Sequence, residues 1–444
     1  MALERIKIDD DLVLRAAATD DAEQVARLNE LVHAEPPENK PAVGIAQWTR
    51  DLFAGVNRAV GPSDFTVVED TSTCQIVSSI CLISQTWNIG GIDTPMGMPE
   101  IVGTHPDYRR RGLVRRQFEL MHRRSEDRGQ LFSTVMGIPF YYRQFGYEYA
   151  IDAWGGSTTT PSLLAQVSSK KGGAPPFTAR DAERSDVRFI AATYRMNRDR
   201  AFITVSRDAR TFEDEMFVRS EESAVFYRTR IIERDDGPVG FYMYEVFREN
   251  SGIRVISFEI DPSVNWLDAT TSVLVDLWQL ARRYPPEGKD QCEKIEFSFG
   301  RSHPAYQMFD TPFGAPRNSY AWYVRIPNVP TLVTHLTPLF EKRLAESAFR
   351  GWSGDLKISF FTDGIQMSFD AGKLKSVAST GVVERSQAAA HYPGLTFTKV
   401  LFGQHSFTYL RDIYPDCSAR DHAMATMQDI LFGGPLTPAI LPAN

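Results

Sequence analysis

The amino-acid sequence predicts a mixed α/β and α+β chain in three parts, and three observations predict it. An order of strand, helix, paired strands and second helix opens at residue 12 and opens again at residue 177. Between the two lies "SSKKGGAPP" (168–176), which reads as a flexible linker by its Ser, Gly and Pro content. After "VRIPNVPTL" (324–332) a helical stretch precedes β-like segments, an α+β pattern. At roughly 100 to 200 residues per domain, a chain of this length allows two to four domains.

Each element follows from its own pattern. Residues 12–34, "LVLRAAATDDAEQVARLNELVHA", give a short strand and an amphipathic helix, with Thr19 or Asp20 available as its cap. "FTVVED" (65–70) and "QIVSSICLISQTWNI" (75–89) are β-rich runs around the polar turn "TSTC" and form an antiparallel pair. "EIVGTHP" (100–106) is a further strand, broken by Gly103. From Gly112 the period changes: Val114, Phe118 and Met121 recur at helical spacing, while Arg115, Glu119 and Arg123 line another face. "LFSTVMGIP" (131–139) is the next strand, and "FYYRQFGYEYA" (140–150) a short helix and turn.

The second cycle runs from "FTARDAERSDVRFIAATYRMN" (177–197) through two strands joined at Asp235-Asp236-Gly237 to "IRVISFEIDP" and the helix "ATTSVLVDLWQLARRY". The repeated order is a weak internal duplication, although any α/β chain alternates elements in this way. The last part holds the helical "HLTPLFEKRLAESAF" and the β-like "GDLKISFFTD" and "GIQMSFDAG".

Composition excludes several classes of function. The net charge is −7, which argues against general nucleic-acid or anionic-membrane binding, since both need a positive field over a large surface. Cys74, Cys81, Cys292 and Cys417 are scattered, without the spacing of a zinc site, so no metal is expected. No run approaches the ~18 apolar residues of a membrane span and the N-terminus lacks a signal-peptide core. A cytoplasmic location is the expectation.

Within this acidic chain "HPDYRRRGLVRRQF" (105–118) places five arginines around one glycine. A helix that opens after a glycine-containing loop exposes unpaired N–H groups, and its dipole adds positive potential. Phosphate suits such a place. Gly112 would let the backbone approach a ligand, and Arg109, Arg110 and Arg111 would add permanent charge. Arg115, on the polar face with Glu119, reads as solvated. Arginines before a helix also occur as plain surface decoration.

The longer segment "VGTHPDYRRRGLVRRQFELMHRR" resembles the coenzyme A signature of the GCN5-related N-acetyltransferase (GNAT) superfamily. Arg109-x-x-Gly112-x-Val114 fits it except that Val114 stands where Gly or Ala is usual. "YYRQFGY" (141–147) is similar to the family's Tyr-x-x-x-Phe-Gly-aromatic segment. With the second cycle and the α+β end, the chain resembles the enhanced intracellular survival (Eis) acetyltransferases. The resemblance implies a catalytic GNAT domain at 1–158, a second, degenerate GNAT-like domain at 177–325, and a sterol-carrier-protein-like domain at 326–444. It also implies a homo-hexamer.

By the same resemblance the reaction is acetyl transfer from acetyl-CoA to an amine, with no metal. The strand at Ile101, Val102, Gly103 and Thr104 would meet the pantetheine and thioester, and Arg109 to Val114, including Leu113, would cradle the pyrophosphate. Tyr142 matches the general acid; a phenol stays protonated at neutral pH and can donate to a thiolate, although a core aromatic is the alternative reading. The family's base is the C-terminal carboxylate, here that of Asn444. Glu100, on the strand before the coenzyme site, is the other candidate and could equally be a structural carboxylate. Trp48, Trp87 and Asn88 fall where acceptor-binding elements would be, although a tryptophan is most often simply a core residue. The acceptor expected is a small-molecule amine such as an aminoglycoside, or a protein lysine; a non-catalytic acyl-CoA or lipid-binding protein and an assembly protein are the competing readings.

Overall fold

The computed structural model describes residues 5–34, 40–170, 175–247, 251–300, 302–309, 313–433 and 438–439. Three sheets of ten, seven and five strands organise them. In the first, β1 (Ile6–Lys7), β2 (Leu12–Ala16), β3 (Phe65–Asp70), β4 (Gln75–Ile89), β5 (Ile92–Thr104) and β6 (Phe132–Val135) are neighbours in sequence order. The pairing is antiparallel up to β5, and β5 runs parallel to β6. Between β2 and β3 lie α1 (Ala22–Val32) and α2 (Val43–Phe53), and between β5 and β6 lies α3 (Leu113–Asp127).

The period of two along β4 separates two cores. Cys81 and Ile83 pack with Val25 and Leu28 of α1 and Trp48 and Leu52 of α2. Ile80 and Leu82 pack with Phe118 and Met121 of α3 on the opposite side. The helix read from Gly112 is therefore present, with the expected apolar residues inward. β5, in contrast, begins eight residues before the strand that the sequence suggested. Pro95, Gly97 and Pro99 hid its start. Pro99 is accommodated because it lies past the last pair with β6, on an edge free of ladder bonds that a proline would interrupt.

The two halves of the chain exchange strands. β7 (Glu148–Ala153) is separated from β6 by the strand Tyr320–Arg325, which is antiparallel to both. Reciprocally, β8 (Gly156–Thr159) enters the seven-stranded sheet between Lys294–Phe297 and Ala315–Arg317.

A matching ion cluster marks both halves. Arg15 binds Asp21 at 2.6 and 2.9 Å and Glu69 at 2.6 Å, while Asp21 also accepts the Ala18 N–H. Arg180 binds Asp186 at 2.7 and 2.8 Å and Glu233 at 2.8 Å, while Asp186 accepts the Glu183 N–H. The residue that pins the start of α1 is thus Asp21 rather than Thr19 or Asp20, and its counterpart is Asp186. The same residue types and contacts, with the same six-residue spacing from Arg to Asp, give the weak sequence duplication a physical basis.

The halves differ where the first is open. In the second sheet the parallel strands Gly252–Ile260 and Lys294–Phe297 pair at four positions. Beyond them the buried His303 fills the gap: its Nε2–H donates to the Phe258 carbonyl at 2.9 Å, and its ring centroid lies 4.3 Å from that of Phe299. The helix Trp266–Arg283 that follows is capped from within, the Asn265 side chain accepting the Asp268 N–H at 2.9 Å.

The five-stranded sheet joins Lys373–Thr380, Gly364–Asp370, Gly354–Ser359, Ala390–His391 and Ser418–Ala419. The helix Thr396–Leu401, between its last two strands, meets the first sheet through Lys399, whose Nζ donates to the Tyr149 carbonyl at 2.7 Å and faces Glu148 at 3.2 Å. No helix among the described residues is long and apolar enough to cross a membrane.

Candidate active site

β5 and β6 pair only at Met96 with Phe132 and Gly97 with Ser133, and then diverge. The divergence opens a cleft of about 1140 Å³. Its β5 wall is irregular: Ser79 faces Gly103 and Cys81 faces Glu100, so Ile101 and Val102 together oppose Ile80. This is a β-bulge, with Ile101 at φ +52°, and bulges re-aim side chains beside active sites. Glu100, Val102, Gly103 and Thr104 all line the cleft.

At one end the cleft meets the start of α3. Gly112 caps the helix at φ +72° and ψ 14°, a conformation that favours glycine, and Arg110 before it is at φ +65°. A Cβ at Gly112 would meet nothing within 4 Å, so glycine is required here by its backbone angles and not by crowding within the protein. The first helical bond is donated by Arg116 to the Gly112 carbonyl at 3.3 Å, and no side chain caps the helix. The N–H groups of Leu113, Val114 and Arg115 are thereby left for a ligand. Arg109, Arg110, Gly112, Leu113 and Val114 line this end.

The arginines divide differently from the sequence expectation. Arg111 lies off the cleft, its guanidinium over the Tyr108 ring at 4.9 Å from the centroid. Tyr108 in turn donates to Asp70 at 2.6 Å. Arg115, expected only to be solvated, is exposed and also lines the cleft, donating to Gln144 at 2.9 Å and lying over the Phe145 ring.

Tyr142 sits in the 3-10 turn Tyr141–Phe145, 7% exposed, with Phe118, Tyr147 and Tyr323 around its ring. It belongs to the α3-side core and still lines the cleft. Burial, then the nearby charge of Glu100, push its hydroxyl well above the ordinary phenol value, so it stays protonated. Glu100 is opposite Cys81 and so belongs to the α1 and α2 side. Burial raises its carboxyl to about 8, against the opposing effect of the Ile101 N–H. The two groups thus approach the strand gap from opposite faces of the sheet.

Gly137, which sequence reasoning passed over in "VMGIP", makes the Tyr142 position possible. A Cβ there would stand 1.8 Å from Tyr142 Cε2. Gly103 plays a similar part for α1, since its Cβ would stand 2.4 Å from Val32 Cγ2. Trp48 and His33 line the cleft from the α1 and α2 side. Burial holds the His33 imidazole below its ordinary value, and its Nδ1–H donates to the Asn29 carbonyl at 3.0 Å.

Trp87 and Asn88 are corrected to structural roles. Trp87 is fully buried between Phe132 and Trp322, and Asn88 closes the β4–β5 turn by donating to Asp93 and accepting the Gly91 N–H. Asn444 lies outside the described residues. Among the described residues, no group of three or more His, Cys, Asp or Glu side chains could hold a metal ion. Trp154 and Tyr320, beside the strand exchange, also line the cleft and carried no sequence signal beyond the "WGG" run after a strand.

Comparison with known proteins places this geometry. Residues 13–150 match the model of the acetyltransferase (GNAT) domain. By sequence, no curated protein matches the chain. By structure, a probable N-acyltransferase from Enterococcus faecalis is similar at TM-score 0.67 and 13% identity, over 98% of this chain and 100% of that one. A GCN5-related N-acetyltransferase from Anabaena variabilis is similar at 0.66 and 13%, over 97% and 99%. Eis1 from Mycobacterium abscessus is similar at 0.60 and 13%, over 96% and 98%. Residues 13–150 are thus a GNAT acetyltransferase domain, and the chain-long fold is similar to that of Eis1.

Proposed function

We propose that the protein transfers the acetyl group of acetyl-CoA directly to a primary amine, with Tyr142 as general acid and Glu100 as general base. One observation carries this reading: unpaired helix N–H groups, diverging strands, Glu100 and Tyr142 all meet in one cleft. Arg109, Arg110 and the N–H groups from Leu113 onward would hold the pyrophosphate, while Val102, Gly103 and Thr104 flank the pantetheine. The bound thioester supplies an activated acyl group.

Glu100 takes a proton from the bound ammonium, and the free amine then attacks the thioester carbonyl, forming the C–N bond as the C–S bond breaks. A carboxyl raised to about 8 is far better matched to that task than one at its ordinary value. Tyr142, on the other side of the gap, gives its proton to the departing thiolate. The C-terminal carboxylate of Asn444 is the second base candidate. The same reading assigns a degenerate GNAT unit to 177–325, its gap filled by His303, and a sterol-carrier-like unit to 326–444, within a homo-oligomer. Release of coenzyme A is the test, measured with a panel of aminoglycosides and lysyl peptides and compared with Tyr142→Phe. Coenzyme A binding without turnover of any amine would instead favour a non-catalytic acyl-CoA-binding protein.

A further inference from the structure

We propose that the second sheet completes the acceptor end of the cleft, and that the acceptor is a primary amine on a flat aromatic body which stacks on Trp154. The inference rests on the transferase reading above. Trp154 follows β7, lines the cleft and keeps 38% of its surface exposed. Its backbone is at φ +57°, in a left-handed conformation that is strained for a bulky residue and concentrates at functional positions.

What holds it there belongs to the second sheet. Arg317 Nη2 donates to the Trp154 carbonyl at 2.7 Å, and the Arg254 guanidinium lies 5.8 Å from the Trp154 ring centroid. Glu296 fixes both arginines, accepting from Arg254 Nε at 3.0 Å and from Arg317 Nη1. Immediately afterwards the chain is pinned at Gly156, where a Cβ would stand 2.1 Å from the Phe297 carbonyl oxygen. An indole fixed in this way offers a preset aromatic surface that needs little ordering on binding.

The remaining lining agrees with this acceptor. Trp48 adds a second indole, its buried Nε1–H without an acceptor among the described residues. Glu100 is the one carboxylate among the described lining residues. One carboxylate matches one ammonium, and two indoles match an aromatic body and the cation–π attraction of its amine.

The full chain is assayed with acetyl-CoA and either tryptamine or spermidine, and coenzyme A binding is titrated separately. We expect kcat/KM for tryptamine about tenfold or more above that for spermidine. Trp154→Ala should raise the tryptamine KM about tenfold and leave the acetyl-CoA KM unchanged, with Trp154→Phe restoring most of the loss. Glu296→Gln should move the tryptamine KM in the same direction.

Preference for spermidine, or a tryptamine KM indifferent to Trp154→Ala, overturns the proposal. So does acetylation of kanamycin without tryptamine, which leaves the transferase reading standing. A Glu296→Gln variant that leaves the tryptamine KM unmoved overturns the part given to the second sheet. Failure to bind coenzyme A at all removes both readings.

Discussion

Gly137→Ala is the sharpest perturbation of the proposed acid. The new methyl would stand 1.8 Å from Tyr142 Cε2, against the 3.4 Å at which ordinary contact begins, so the ring must retreat by about 1.6 Å. Phe118 and Tyr323 rings lie 5.9 and 5.6 Å from it, centroid to centroid, in a buried cluster, so it can yield only toward the cleft and away from its present position. Overpacking of this kind costs about 1–3 kcal/mol of stability. A displacement beyond 1 Å at a group that must meet a thiolate costs on the order of 100-fold in rate. The proposed pyrophosphate site lies at the start of α3 and should be spared. The expected result is kcat down on the order of 100-fold with coenzyme A affinity within about twofold of wild type, by steady-state kinetics and calorimetric titration. A Gly137→Ala enzyme that remains folded and keeps its kcat would refute the acid role drawn from this geometry.

Arg110→Ala should weaken coenzyme A binding roughly tenfold, whereas Arg111→Ala should leave it nearly unchanged, because Arg111 is engaged with Tyr108 off the cleft. Calorimetric titration of the two variants checks this. With Glu100 raised to about 8, its ionised form grows as pH rises through that value; kcat/KM should climb and level off above it, and Glu100→Gln should remove the climb. The same group holds an extra proton in the folded state between its ordinary 4.5 and about 8, so it lowers stability as pH rises across that window. Chemical denaturation of Glu100→Gln should show a shallower decline there. Lys399→Met should lower stability by about 1–3 kcal/mol in chemical denaturation, and lower kcat without altering coenzyme A affinity. Its partner Glu148 also binds Arg143, the residue after Tyr142.

The parts of the site that were legible in the sequence are those fixed by local chemistry. A glycine opening an amphipathic helix after an arginine run is a local signal, and so is the Tyr142 turn that closes at Gly146. The strand order 65–70 and 75–89 was readable for the same reason, with its polar turn and alternating residues. Features set by approach between distant segments were not readable. Arg111 and Arg115 change places relative to expectation because the loop turns at Arg110 with positive φ and delivers Arg111 to Tyr108. Trp87 carried the composition of an acceptor residue, yet Trp322, far along the chain, buries it. The exchange of Tyr320–Arg325 for Gly156–Thr159 has no signature in either segment alone, so the cleft wall at Trp154 and Tyr320 could not be assembled from sequence. Glu100 could be named, but its raised pKa comes from burial that only the folded sheet provides.

The most direct test of the account is the crystal structure of the protein with coenzyme A bound. The expected complex has pyrophosphate oxygens within hydrogen-bond distance of the N–H groups of Leu113 and Val114, the pantetheine between β5 and β6, and the sulfur within reach of the Tyr142 hydroxyl. Coenzyme A bound outside this cleft, or with its sulfur remote from both Tyr142 and Glu100, would contradict it.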